Sequence, residues 1–375
     1  MTKDISERGE YFPSSPPLLP MRRRDKQTRR AGLLLVPVIF DGKPLMPTIP
    51  SRARRWIKSG RATPFFSRGV FCVRLNSQPS GLLTQPVAIG IDPGSKKEGF
   101  TVKSKSYTFL NVQADAVTWV KKRILTRRQL RRSRRFRNCP YRRPSPHRKH
   151  HKPWLPPSTR ARWSLKLRVL DWLRKIYPIS IAVVEDVSAC TKKGKRKWNA
   201  SFSPLEVGKK WFYGEIERRG LELKTLNGYE TKERRDFLGL KKSHDKLSDR
   251  WDAHCIDSWV LARDAVGGDC VGNKTVLCIT PFQFHRRQLY KLMPGRGGVR
   301  VPYGGTISLG IKRGTLVRHP KIGLSYVGGS ANGRLSLHSL STGLRITQTA
   351  EVRDCKQLAL IPWRTRSSAS PALKI

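Results

Sequence analysis

Acidic side chains are scarce in this 375-residue chain: 26 Asp and Glu stand against 76 Lys and Arg. Their placement is therefore informative. Asp92 follows the apolar run Val87–Ile91 and precedes Pro93-Gly94. Glu185 falls near the end of the strongest strand pattern, Ile179–Val187. Asp257 lies in a helical pattern, with His254 one turn before it on the same face. Two carboxylates at strand ends, with a carboxylate and an imidazole on a helix, could converge on one point. That set suits two hard cations about 3.5–4 Å apart, clamping the attacking and leaving oxygens of a phosphodiester. Each residue also has a plainer reading. Asp92 could be a turn residue, Asp186 could replace Glu185, and Asp257 could pair with Arg250 or Arg263. The order strand-Asp, strand-Glu, helix-His-x-x-Asp is what lifts the set above its members.

The formal charge is +50. A compact body with so much charge repels itself unless an anion neutralises it, and nucleic acid is the simplest anion large enough. An enzyme of free small metabolites is close to excluded. The seven cysteines form no Cys-x-x-Cys pair and their number is odd, which argues against a zinc module or a disulfide framework. The longest apolar stretch, Ala31–Phe40, is broken by Pro37 and falls short of the roughly 20 residues that span a bilayer. With no secretory signal in the first thirty residues, the expectation is a soluble cytoplasmic protein without membrane contact.

Several elements must position these groups. Residues 1–30 read as a disordered basic arm. Leu33–Phe40 reads as a strand, Arg52–Ser59 as a basic helix capped by Ser51, and Phe65–Arg74 as a second strand, giving a small β-α-β unit. After the linker Ser77–Pro86, three short strands form a meander. From Ala116 to Leu170 there is no acid, while 19 residues are Lys or Arg. Within it, Lys121–Arg137 reads as a helix with Arg127, Arg128, Arg131, Arg132 and Arg135 on one face. Like charges at this spacing destabilise a free helix, so its natural partner is phosphate. Ala161–Tyr177 is amphipathic through Leu165, Val169, Trp172, Leu173 and Ile176. Leu205–Arg219 reads as a helix, Leu221–Leu226 as a strand, and Ser248–Val266 as a helix capped by Ser248 and stopped at Gly267. Beyond Pro281, closely spaced glycines punctuate short alternating runs, the pattern of a small β-barrel or sandwich.

The motif Gly90-Ile91-Asp92-Pro93-Gly94-Ser95 resembles the first motif of RuvC nucleases, which share the ribonuclease H-like fold. Val183-Val184-Glu185-Asp186 resembles the second and Asp252-Ala253-His254-Cys255-Ile256-Asp257 the third. The arginine-rich helix after the first motif is similar to the bridge helix of RNA-guided effectors of the IscB and CRISPR-nuclease lineage. Pro44-Leu45-Met46-Pro47 spells the tetrapeptide that names the PLMP domain of the IscB and IsrB families. Between Asp186 and Ala253 there is no Asp-His pair, no His-Asn-His progression and no Cys-x-x-Cys, so the HNH insertion of IscB has no counterpart. The four-Cys element of the related TnpB proteins is also missing. The chain thus resembles the IsrB family. Glu98 and Lys96-Lys97 depart from the first motif by their charge.

The resemblance implies an α/β chain with a RuvC core. Its divisions would be an arm at 1–30, a PLMP domain at 31–80 and a first RuvC segment at 86–115. The bridge helix and basic loop at 116–160 and further RuvC segments at 161–280 would follow. A β domain at 281–375 would read a target-adjacent motif. It implies a nickase that cuts the non-target strand of a duplex matched by an omega guide RNA, one protein per RNA, in a bacterial cytoplasm and on the nucleoid when bound to DNA. Asp92, Glu185 and Asp257 would ligate two Mg²⁺ ions, and His254 would orient or deprotonate the attacking water. Arg127, Arg128, Arg131, Arg132 and Arg135 would grip the guide RNA, and Arg287, Gln288 and Arg300 would reach base edges of the DNA. Two other readings remain: a RuvC-type junction resolvase acting without RNA, and a non-catalytic RNA-binding protein.

Overall fold

The computed structural model describes residues 34–137, 155–189, 203–284, 292–293, 298–299 and 305–368. The arm at 1–30, most of the basic loop, and Arg287, Gln288 and Arg300 lie outside the described residues.

The N-terminal unit holds β1 (Val36–Phe40), β2 (Lys43–Thr48), α1 (Pro50–Lys58), β3 (Ala62–Ser67) and β4 (Val70–Leu75). Its four strands lie in the order β2-β1-β4-β3. This is richer than the β-α-β unit expected. The Pro-Leu-Met-Pro tetrapeptide is itself part of a strand, which the prolines permit because β2 is an edge and need not donate outward. The single strand expected over Phe65–Arg74 is a hairpin. Arg68 and Gly69 turn the chain with φ of 49° and 93°, two left-handed residues in a tight turn between paired strands. Helix α1 begins at Pro50, ahead of Ser51. Proline suits a first turn, where its missing N–H leaves nothing unpaired.

The core follows: β5 (Val87–Asp92), β6 (Lys97–Ser104), β7 (Thr108–Asp115), α2 (Trp119–Phe136), α3 (Pro157–Leu173), β8 (Ile181–Asp186), α4 (Pro204–Glu217), β9 (Glu222–Asn227), α5 (Gly228–Phe237), α6 (Trp251–Val266) and β10 (Val276–Pro281). These strands lie in the order β10-β7-β6-β5-β8-β9. β5, β6 and β7 form the antiparallel meander, while β8 and β9 run parallel to β5. Counted from β5, the order is 3-2-1-4-5 with the second strand reversed, which is the ribonuclease H-like arrangement. Every residue of β5 is buried, as a central strand covered on both faces requires.

The two faces carry different helices. α6 lies on one, pressed so close that a side chain at Gly90 or Gly99 would collide with the carbonyls of Ser258 and His254. α3 and α4 cover the other, joined by Trp163 and Phe212 with ring centroids 4.9 Å apart. Leu165, Val169, Trp172, Leu173 and Ile176 are all buried there. Helix α2 is different: it buries no residue at all. α6 starts at Trp251 instead of Ser248, because the Ser248 hydroxyl accepts from the Arg250 N–H at 3.2 Å and closes a turn ahead of the helix.

Beyond the core come three pairs of short or longer strands: β11 (Leu292–Met293) with β12 (Gly298–Val299), β13 (Ile307–Ser308) with β14 (Ile311–Lys312), and then β15 (Thr315–His319) with β16 (Gly323–Ala331). β17 (Arg334–His338), β18 (Arg345–Ala350) and β19 (Lys356–Leu360) complete a five-stranded antiparallel sheet in the order β18-β17-β16-β15-β19. The chain then returns. β20 (Trp363–Ser367) adds to the core sheet against β10. Trp363 packs edge-on against Trp172 at 5.6 Å, and the Arg68 guanidinium stacks 4.7 Å from its ring. The N-terminal hairpin, α3 and the last strand therefore meet at one joint. Among the described residues no helix is long and apolar enough to cross a membrane.

Candidate active site

The parallel pairing of β5 and β8 sets Ile91 beside Val184, so Asp92 and Glu185 emerge together at the strand ends. Alternation along β5 puts Asp92 on the same face as Gly90, toward α6. Asp257 stands one residue before Ser258, the residue whose carbonyl the glycine accommodates, and is buried. Gly228, at the start of α5, leaves room for Glu185: a side chain there would lie 3.2 Å from Glu185 Oε1. The three carboxylates expected to meet are thus neighbours in electrostatic contact.

Burial pushes the Asp92 carboxyl well above its usual range, and the charges of Glu185 and Asp257 push it further, against the pull of Lys242. Glu185 is raised too, first by burial, with Asp257 adding repulsion. Asp92 and Glu185 stand close enough for each to act on the other's ionisation, so two acids crowd one largely buried space. Asp257 is compensated differently. Arg235 Nη1 donates to its Oδ1 at 2.7 Å, and Lys242 Nζ donates to its Oδ2. Its partners are not Arg250, which pairs with Asp252, nor Arg263, which pairs with Asp269. Burial would lower the Lys242 ammonium, but Asp92, Asp257 and Glu185 outweigh it and the group is raised.

Asp186, the alternative to Glu185, faces the other way. It accepts from Lys209 Nζ at 2.6 Å and from the Tyr213 hydroxyl at 3.0 Å, both on α4. Glu98 is likewise on that far face, in a fully buried ion pair with Lys166 at 2.7 Å. Arg162 of the same helix donates to the Gly94 carbonyl at 3.1 Å, so α3 braces the turn that follows Asp92.

His254 Nε2 lies 3.1 Å from the Lys246 carbonyl. A carbonyl only accepts, so Nε2 carries the proton and Nδ1 is the basic nitrogen. Burial lowers the imidazole below its usual value, the Lys246 carbonyl works against this, and Lys97 and Lys242 add to it. His254 is therefore neutral near pH 7. A cavity of about 910 Å³ opens here, lined by Asp92, Lys96, Lys97, Lys242, Lys246 and His254 among others. Of the three clustered acids, Asp92 contributes to this lining, among several lysines.

The donor set fits divalent ions with hard-oxygen preference. Three acids converge on one face, and their mutual repulsion is what a divalent cation would relieve. The spacing is a separate matter. Among the described residues no three His, Cys, Asp or Glu side chains are placed to hold a metal ion, and both oxygens of Asp257 are already engaged.

Helix α2 presents Arg127, Arg128, Arg131, Arg132 and Arg135 as exposed residues. Among the described residues, no carboxylate is paired with Arg127, Arg128, Arg131 or Arg132.

Comparison with known proteins adds a partial match. A profile of the RRXRR protein family matches residues 36–199. The matched span includes α2, whose residues 131–135 read Arg-Arg-Ser-Arg-Arg. No curated protein matches the chain. Among solved structures, RuvC of T. thermophilus in complex with a Holliday junction substrate is similar at 14% identity, over 48% of this chain and 90% of that one, with a TM-score of 0.27. The yeast mitochondrial Holliday junction resolvase Ydc2 is similar at 11% identity, over 49% and 78%, with a TM-score of 0.25. Scores this low carry no weight of their own, and the fold assignment stands on the strand order.

Sequence reasoning missed Lys242 and Arg235. Neither has a periodic relation to the acids it serves. The one available signal was physical: a buried acid cluster needs positive charge from somewhere. It also missed Asp249, which joins Lys97 at 2.7 Å, Gln113 at 2.9 Å and Arg366 of β20.

Proposed function

We propose that this chain is a divalent-cation-dependent nuclease whose site is Asp92, Glu185 and Asp257, with His254 beside it. The convergence of three buried or half-buried carboxylates at the ends of β5 and β8 and on α6 is the observation that carries the reading. Bound Mg²⁺, two ions in this reading, would supply Lewis acidity at the scissile phosphate and an activated water. Asp92, Glu185 and Asp257 would hold it. His254, neutral and with Nδ1 as its free base, would take the proton of the attacking water. Lys96, Lys97 and Lys246 on the cavity wall would hold the negative backbone in place.

Two finer readings divide on the partner. In the first, an omega guide RNA pairs with a double-stranded DNA target, and the single nuclease site nicks the displaced strand. Support comes from the exposed arginine face of α2, the Pro-Leu-Met-Pro strand, and the lack of a second nuclease motif between Asp186 and Ala253. Arg287, Gln288 and Arg300 would then read the adjacent motif. In the second reading, the same acids act as a RuvC-type junction resolvase without RNA.

The discriminating experiment is to co-express the chain with its flanking DNA, sequence any RNA that co-purifies, and offer a supercoiled plasmid carrying the complement. The guided reading predicts a discrete RNA and an open circle. Symmetric cutting of a four-way junction by RNA-free protein would favour the resolvase. No Mg²⁺-dependent cleavage of either substrate would contradict the nuclease reading.

A further inference from the structure

We propose that Lys242 is the chain's own stand-in for a divalent cation: its ammonium closes the acid cluster until an ion takes its place. This rests on the metal-site reading above and deepens it. Lys242 Nζ bonds Asp257 Oδ2 and stands in electrostatic contact with both Asp92 and Glu185. Arg235, the other cation at Asp257, bonds its Oδ1 and also faces Glu185. Without positive charge the three carboxylates would repel one another across a buried space.

The two partners of Asp257 are built differently. Arg235 belongs to α5, its side chain is 14% exposed, and its Nε also approaches Asp236 at 3.7 Å. It is fixed in place. Lys242 lies in the segment between α5 and α6, its side chain is 37% exposed, and it lines the cavity. It is the partner that can leave without disturbing a helix. While both partners grip Asp257, each of its oxygens is engaged, which accounts for carboxylates that converge without forming a ready metal group. Ion uptake is then an exchange, one ammonium out and a divalent cation in. A displaced Lys242 remains in the cavity wall beside Lys241 and Lys246, where a phosphate backbone would pass.

The test is Mn²⁺ binding to the metal-stripped full chain, followed by the electron paramagnetic resonance signal of free Mn²⁺. Lys242→Met removes the competitor, and Lys242→Gln keeps a hydrogen bond to Asp257 while losing only the charge. Both should bind Mn²⁺ roughly tenfold or more tightly than the wild type. In chelator, both should melt below the wild type, and added Mn²⁺ should close that gap. Equal or weaker Mn²⁺ affinity in the folded variants overturns the proposal. Asp92→Asn separates the two levels. If it abolishes a wild-type Mn²⁺ site while the Lys242 variants match wild type, the exchange falls and the metal site stands. If the wild type takes up no Mn²⁺, both fall.

Discussion

Glu185 and Asp186 are consecutive on β8, yet they serve opposite sides of the sheet. Asp186 turns to the α3–α4 face and meets Lys209 and Tyr213, with Glu206 completing the group. Glu98 on the same face meets Lys166. There each of these acids makes a direct ion pair with a lysine on a packed helix, Lys166 for Glu98 and Lys209 for both Asp186 and Glu206. On the α6 face, Asp92, Glu185 and Asp257 must share Lys242 and Arg235. Buried charge is costly unless paired, so a fold under no other demand would pair these acids too. Among the described residues neither Asp92 nor Glu185 is in a direct ion pair, whereas Glu98 and Asp186 both are, and in the proposed reading a divalent cation would make good that lack.

The largest effect should come from the under-compensated face. Asp92→Ala should reduce cleavage on the order of a thousandfold or more while leaving nucleic-acid binding within a few-fold, measured by plasmid cleavage and by filter binding. Loss of binding as well would mean that Asp92 is structural and that the two faces do not differ in kind. The paired face should answer in stability instead. Lys166→Ala strands Glu98 in the core and should cost about 3–5 kcal/mol in denaturant unfolding, whereas replacing both residues with apolar ones should recover most of it. If Lys166→Ala spared stability and abolished cleavage, the contrast would be broken.

A third test concerns charge with no carboxylate opposite it. Replacing Arg131 and Arg132 with Ala should leave stability within about 0.5 kcal/mol, since α2 buries nothing. It should weaken nucleic-acid binding and reduce the slope of log affinity against log salt by about 0.7–0.9 per arginine. An unchanged salt slope would remove α2 from the interface. The smallest effect is at Asp249. Burial tends to raise its carboxyl, but Arg366 and Lys97 overcome this and hold it at about 2, below the usual 3.8. A lowered folded-state value stabilises above 3.8, and that contribution fades as pH falls toward about 2. Asp249→Asn should therefore lower the melting temperature modestly near pH 7, where that contribution is full, and converge on the wild type as pH falls toward about 2, flattening the acid limb. An acid limb identical to the wild type would show that the tie to β20 carries no linkage.

Part of this fold is legible in the sequence, and the rest is hidden for physical reasons. The meander, the helix carrying His254 and Asp257, and the amphipathic helix ending near Ile176 were legible because burial imposes period 2 or 3.6. The hairpin at Arg68-Gly69 was not, since its turn is spelled Arg-Gly and not with the usual Asn or Asp. The return of β20 to the core sheet was hidden because edge pairing over such a distance leaves no local pattern. At the site, the acids stood out through their rarity in a basic chain. Lys242 did not, because one lysine among so many has no composition signal, and only the fold brings it to Asp257.

The most direct test of the central claim is an anomalous-difference map from crystals of the full chain grown with Mn²⁺. The account predicts density between Asp92, Glu185 and Asp257, resolved into two peaks about 3.5–4 Å apart when a phosphodiester is bound, with Lys242 withdrawn from Asp257. Full Mn²⁺ in the crystal with no peak at these carboxylates, and Lys242 still bonded to Asp257, would contradict it.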